Sequence, residues 1–151
     1  MVISKLIMVR RFKYTVIAFI ITIGLMARII KEVVIEDHKL TALFDTGSAR
    51  NYVLKKVAEK APRIKIKPYM VGIGGKTVTV HEECILRGEI EGPEFTLKAA
   101  LLDEIGTIDG HEIGAIVGAT AMEEWEIRID MVKAELDLSG LRRRDFIEYC
   151  S

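Results

Sequence analysis

The sequence predicts a mostly β domain with one or two short helices. Three observations carry that prediction. Short runs of strand type follow one another along the chain, divided by Gly, Pro, Asp and Asn. The pair Gly74-Gly75 lies between two such runs, as a two-residue hairpin turn requires. Only two stretches read as helix, Leu54 to Ala61 and Ala119 to Trp125, and both are short.

Taken in order, Ile29 to Glu36 reads as a strand, Asp37-His38 as a turn, and Lys39 to Phe44 as the hairpin partner. After the loop that follows, Asn51-Tyr52-Val53 resumes, and the Lys-rich helix Leu54 to Ala61 is stopped by Pro62. Ile64, Ile66 and Tyr69 to Val71 begin a long β segment. It turns at Gly74-Gly75, alternates through Thr77 to Val80, and continues past Ile85 and Ile90. Gly92-Pro93 is a turn and Phe95 to Leu102 a strand. Asp109-Gly110 turns the chain toward the apolar run Ala115-Ile116-Val117-Gly118. A helix from Ala119 and a final hairpin through Ile127, Ile129 and Ala134 to Leu138 follow. Arg142 to Arg144 then open a charged tail.

Composition excludes several classes. At 151 residues the chain is one domain with an appendage, and at 50% hydrophobic it can build a core. Basic and acidic residues number 22 each, so no net charge steers it to nucleic acid. Cys84 and Cys150 lie far apart without a C-x-x-C, which argues against a disulfide scaffold or zinc site and fits a reducing compartment. His38, His81 and His111 show no ligand spacing, so neither a metal nor another cofactor is expected. The run Gly72 to Thr77 ends like a phosphate loop. Met70 stands where that loop needs glycine, however, and no helix follows.

The amino-terminal segment fits three readings. Residues 14–27 are fourteen uncharged, largely apolar residues behind Lys5, Arg10, Arg11 and Lys13. A helical span needs about 20, so the segment is a marginal membrane anchor on one reading. On the second it is a buried β element, since Val, Ile, Thr and Phe dominate. On the third, translation begins at Met26. A cytoplasmic location is expected, with membrane anchorage through residues 14–27 as the alternative.

One tetrapeptide stands out as chemistry. The apolar run Leu40 to Phe44 leads straight into Asp45-Thr46-Gly47-Ser48. A strand thus delivers a carboxylate to the edge of the core, Gly47 permits a sharp turn, and two hydroxyls are at hand. Read alone, the four residues fit an ordinary turn equally well. The Gly74-Gly75 hairpin downstream and the Gly118-closed run tip the reading toward a site. Neither His nor Lys lies in register to make Ser48 a nucleophile.

In order and spacing, residues 26 to 138 resemble the retropepsin-like, retroviral-type aspartic proteases: strand, D-T-G-S, glycine hairpin, Ile-Val-Gly, helix. The resemblance implies a closed acid-protease barrel with a flap hairpin over residues 28–138, flanked by an apolar extension at 1–27 and the tail at 139–151. Met26 is also where domains of this kind begin. Asp45 would be the catalytic acid/base. Thr46 would bond across a twofold axis, Gly47 would present its N–H to a carboxylate, and Ser48 would bond the outer carboxylate oxygen. Ile116, Val117 and Gly118 would support the loop from below, and Ile73, Gly74 and Gly75 would form the flap tip over a peptide or protein substrate. The chemistry needs two facing carboxylates that share a proton, and the chain holds one D-T-G. The expectation is therefore an aspartic endopeptidase acting as a homodimer. The alternative is a catalytically silent dimerisation or peptide-binding module of the same fold. A weaker third reading is a membrane-tethered β-rich structural protein.

Overall fold

The computed structural model describes residues 5–11, 14–21 and 24–150, with side chains over 27–144. The chain opens with strands β1 (Lys5–Arg11), β2 (Tyr14–Ile21) and β3 (Gly24–Ile35), antiparallel in sequence. The apolar segment 14–27 thus has strand backbone in β2 and the start of β3. The side-chain surroundings of residues 14–26, and with them the expectations of burial or membrane contact, lie outside the described residues. Among the described residues no helix is long and apolar enough to cross a membrane.

Strand β3 serves three neighbours. Along one edge it pairs antiparallel with β4 (His38–Asp45), from Arg28↔Asp45 to Ile35↔His38. Along the other edge its first half pairs with β2, and Val34 and Ile35 meet a later strand. The β3–β4 turn is Glu36-Asp37, one residue earlier than expected, with φ of 47° and 65°. Glu36 is fixed from outside the hairpin: its N–H donates to the Arg87 carbonyl at 3.0 Å, and its Oε1 accepts from the Arg87 N–H at 2.7 Å. That tertiary clamp holds the turn in place despite two non-glycine residues at positive φ.

After the aspartate loop come β5 (Asn51–Leu54) and a single 3₁₀ turn, Lys55–Ala58. The expected helix over Leu54 to Ala61 is thus reduced to four residues. Leu54 stays extended because it pairs with Leu102, and Pro62 leaves no room for a second turn. Next are β6 (Arg63–Ile73) and β7 (Lys76–Glu89), joined by Gly74-Gly75 with φ of 58° and 78°. Positive φ at both central residues makes this a type I′ hairpin turn. Then follow β8 (Glu94–Leu102), β9 (Thr107–Ile108), β10 (His111–Gly118) and helix α1 (Ala119–Glu124). The final hairpin is β11 (Arg128–Asp130) with β12 (Glu135–Asp137). The segment read as a charged tail forms helix α2 (Ser139–Cys150), pinned by the buried Leu141.

The main sheet runs β1-β2-β3-β4-β10-β5-β8-β7-β6, and the β3–β7 pairing joins it into a ring. Strands β3, β4, β10, β5, β8 and β7 therefore form a closed barrel, as expected, with β1-β2 and the β6 edge extending beyond it. Two contacts in this ring are parallel: β4 with β10, and β5 with β8. Alternation sends consecutive residues to opposite sides. Phe44, Val117 and Leu101 join the main core with Phe95, Leu86 and α1. Their neighbours Leu43, Ile116 and Leu102 join a second apolar group with Tyr52 and Ile113, and Val71, Ile73 and Val78 of the β6–β7 hairpin pack against it. The second group is the floor of a cleft.

Candidate active site

The site is set by the parallel contact of β4 and β10. Leu43-Phe44-Asp45 lies beside Ile116-Val117-Gly118 in register, so Gly118 is opposite Asp45. Beyond this point both strands must leave the sheet, and main-chain bonds tie the two exits together. The Ala119 N–H donates to the Ser48 carbonyl at 2.7 Å, and the Thr120 hydroxyl to the Ala49 carbonyl at 2.9 Å. Gly118 is required here: a Cβ would stand 2.4 Å from the Arg50 carbonyl oxygen and 2.5 Å from that of Ser48.

Asn51 completes the support, and sequence reading gave it no role. Its buried amide accepts from the Gly118 N–H at 2.8 Å and donates to the Lys98 carbonyl at 3.0 Å. It thereby links β10, β5 and β8 beneath the loop. An asparagine after a D-T-G-S loop is common loop chemistry, so only the fold reveals this role.

Asp45 is 6% exposed at the end of β4. Its Oδ1 accepts from the Gly47 N–H at 2.8 Å, the loop contact expected of Gly47. Its Oδ2 lies 3.0 Å from Arg28 Nε. Arg28 is the cross-strand partner of Asp45 and went unnoticed in the sequence. The two loop hydroxyls are both engaged by main chain. Thr46 Oγ1 accepts from the Ala27 N–H at 2.9 Å and donates to its carbonyl at 3.3 Å, both within its own chain. The Ser48 hydroxyl donates to the Arg50 carbonyl at 2.8 Å rather than to Asp45, and caps the loop's exit.

A cleft of about 700 Å³ brings most of the expected residues together. Asp45, Gly47 and Ser48 line it with Ile73 and Gly74 from the hairpin and Ile116 from the floor. Gly75 is the exposed second turn residue, Val117 faces the main core, and Thr46 lines a separate depression beside α1. The charged lining is Arg28, Asp45, Lys76 and Glu104, against an otherwise largely apolar wall that includes Leu43, Val71, Val78 and Ile105. The β6–β7 hairpin is anchored to the loop by Arg50, whose guanidinium stacks 4.2 Å from the Tyr69 ring centre. The Tyr69 hydroxyl donates to Glu83 at 3.1 Å. Burial, first of several influences, pushes the Tyr69 hydroxyl pKa up.

The remaining reactive groups lie elsewhere. Cys84 is buried in the main core, and burial pushes its thiol up to about 11, so it stays protonated at neutral pH. Among the described residues no group of three or more His, Cys, Asp or Glu could hold a metal ion. The arrangement offers a buried carboxylate, Asp45, at the apolar floor of a cleft beneath a glycine-tipped hairpin.

No family model matches the chain, and no curated protein matches it. Solved structures do. The EIAV protease complexed with the inhibitor HBY-793 superposes with a TM-score of 0.50 at 16% identity, over 69% of this chain and 93% of that one. The retroviral protease-like domain of Ddi1 from Leishmania major superposes with a TM-score of 0.53 at 14% identity, over 73% of this chain and 86% of that one. Likeness at such identities is a likeness of fold: the chain has the retropepsin-like fold.

Proposed function

We propose that the protein is an aspartic endopeptidase that works as a homodimer, with Asp45 of each chain forming the dyad. The observation that carries this reading is the setting of Asp45. It is a buried carboxylate held by the Gly47 N–H at the floor of a cleft, under the Gly74-Gly75 hairpin. In the reaction the ionised Asp45 takes a proton from water as the water attacks the scissile carbonyl, and the protonated Asp45 donates to the developing oxyanion. Peptide enters extended between the apolar floor and the hairpin, which covers it and excludes water. Residues 28–138 form the working domain on this reading.

Asp45→Asn tests it. The amide is isosteric but cannot accept the proton, so proteolysis of a denatured protein substrate should vanish while the fold persists. Residual cleavage within tenfold of wild type, in a preparation free of other proteases, would falsify the dyad.

One observation favours the second reading, a silent peptide-binding module. The single chain already provides Asp45 with a counter-charge in Arg28. A structural ion pair needs no second carboxylate, and on that reading the wild-type protein dimerises or binds peptide without cleaving it.

A further inference from the structure

The charged residues that line the cleft fall into two sets. Arg28 and Asp45 are engaged with one another across β3 and β4. Lys76 and Glu104 are a second set of opposite sign, and no hydrogen bond or ion pair among the described residues engages either of them. They reach the cleft from different elements. Lys76 opens β7 opposite Ile73, across the Gly74-Gly75 turn, so its ammonium belongs to the hairpin tip. Glu104 lies in the segment 103–106 between β8 and β9, and the fold fixes that segment at both ends. Leu102 is buried and pairs with Leu54, and the Gly106 carbonyl accepts from the Ile113 N–H at 2.9 Å. Ile105, between them, packs against both apolar groups. Asp103 is already paired with Lys55 at 3.3 Å, which leaves Glu104 as the rim carboxylate open to a ligand. Otherwise the hairpin and the rim present mainly apolar side chains to the cleft: Val71, Ile73, Val78, Ile105 and Ile108.

We propose that Lys76 and Glu104 are specificity-determining residues, and that the cleft selects extended peptides with an acidic side chain near the hairpin tip and a basic one near the 103–106 rim. The proposal rests on the endopeptidase reading for the peptide as occupant, but recognition does not require cleavage. A wholly apolar peptide suits the floor, yet it desolvates the two charged heads in part and offers them nothing in return. A peptide with the two complementary charges satisfies both and is disfavoured in the reverse arrangement, where like charges meet. Successive side chains of an extended peptide point to opposite sides, so each preference belongs to a fixed position in its sequence. Both residues are exposed, so each contact is worth a modest factor and is screened by salt. In a homodimer the second chain repeats the set, and each preference recurs at a second position.

The test uses fluorescein-labelled octapeptides of Val, Leu and Ala with one Glu and one Lys placed at every pair of positions, and twins with Gln at both. Binding is read by fluorescence anisotropy on full-length Asp45→Asn, which leaves the peptides intact. At one or two placements the charged peptide should bind about tenfold tighter than its twin, the product of two exposed ion pairs of about threefold each. The advantage should shrink towards nothing at about 0.5 M salt. Charge reversal then assigns the contacts. Lys76→Glu should turn the acidic preference into a basic one at its position, and Glu104→Lys should do the converse at the other. Both residues are exposed, so neither reversal disturbs the core. The double reversal should prefer peptides with Glu and Lys exchanged. Charged peptides that never exceed their twins by more than about twofold at low salt overturn the proposal. So do preferences that survive the reversals, preferences that answer to only one of the two residues, and failure of every peptide to bind. Wild-type cleavage of the same peptides is scored separately. Discrimination without cleavage sinks the endopeptidase reading and leaves the proposal standing, whereas cleavage without discrimination does the reverse.

Discussion

Gly118 and Ser48 show how few atoms define the neighbourhood of Asp45. A methyl group at Gly118 meets two main-chain carbonyl oxygens, and main chain cannot swing aside as a flexible side chain does. Gly118→Ala should therefore destabilise the protein by about 3 kcal/mol, the upper range of overpacking. Chemical denaturation checks this, and a loss well under 1 kcal/mol means that the two exits are looser than the bonds between them indicate. Ser48→Ala removes one partly exposed hydroxyl bond to the Arg50 carbonyl and should cost about 1 kcal/mol. It should leave the pH–rate profile in place, because the hydroxyl does not touch Asp45; a displaced profile would return Ser48 to the carboxylate. At this scale the sequence was partly legible. Asp45, Gly47 and Gly118 announce themselves by type and order. Arg28 did not, and the reason is register. A turn at Asp37-His38 pairs Asp45 with Ile30, whereas the turn at Glu36-Asp37 pairs it with Arg28. A shift of one turn residue moves the partner by two, and the clamp on Glu36 that decides it comes from Arg87, far along the chain.

The β6–β7 hairpin carries the predictions that belong to elements. Nothing lies within 4 Å of a Cβ built on Gly75, so space does not forbid a side chain there, but φ of 78° does. Left-handed backbone costs an L-residue about 1–2 kcal/mol, and a β-branched one sits at the unfavourable end. Gly75→Val should deform the tip and depress turnover far more than the melting temperature, since the tip is exposed and remote from the main core. Equal losses in both would show that the tip is structural. The base of the hairpin is held differently, by Arg50 on Tyr69. Arg50→Ala should speed amide hydrogen exchange over Val71 to Val78 with little change in the barrel strands, and Arg50→Lys should recover part of the protection. Unchanged exchange would remove Arg50 as the anchor. The hairpin was legible because a Gly-Gly pair between alternating strands has a mechanical meaning. The helix expected after Leu54 was not, because propensity cannot register that Leu54 is already paired to Leu102 in a parallel contact 48 positions away.

The closed ring is the property of the whole molecule that local patterns cannot supply. It depends on β3 meeting β7 through Val34 and Ile35, and on two parallel contacts between distant strands. Its order became readable only through the resemblance. The ring places one Asp45 at the cleft floor, and the endopeptidase reading needs two, which turns a structural count into a kinetic prediction. Each active site takes half its carboxylates from each chain. Below the dissociation constant the dimer falls with the square of total protein, so specific activity should fall in proportion to concentration. Asp45→Asn retains the isosteric side chain and should still pair, yet a mixed dimer has only one carboxylate and no shared proton. With a tenfold excess of Asp45→Asn, random pairing leaves only about one wild-type chain in eleven with a wild-type partner, so activity per wild-type chain should drop by roughly tenfold. An inert diluent protein at the same excess should have no such effect. Specific activity that stays flat across the dissociation constant, or that ignores the variant, would mean that a single chain completes the chemistry. In that case the charge facing Asp45 in the working enzyme is Arg28 and not a second aspartate.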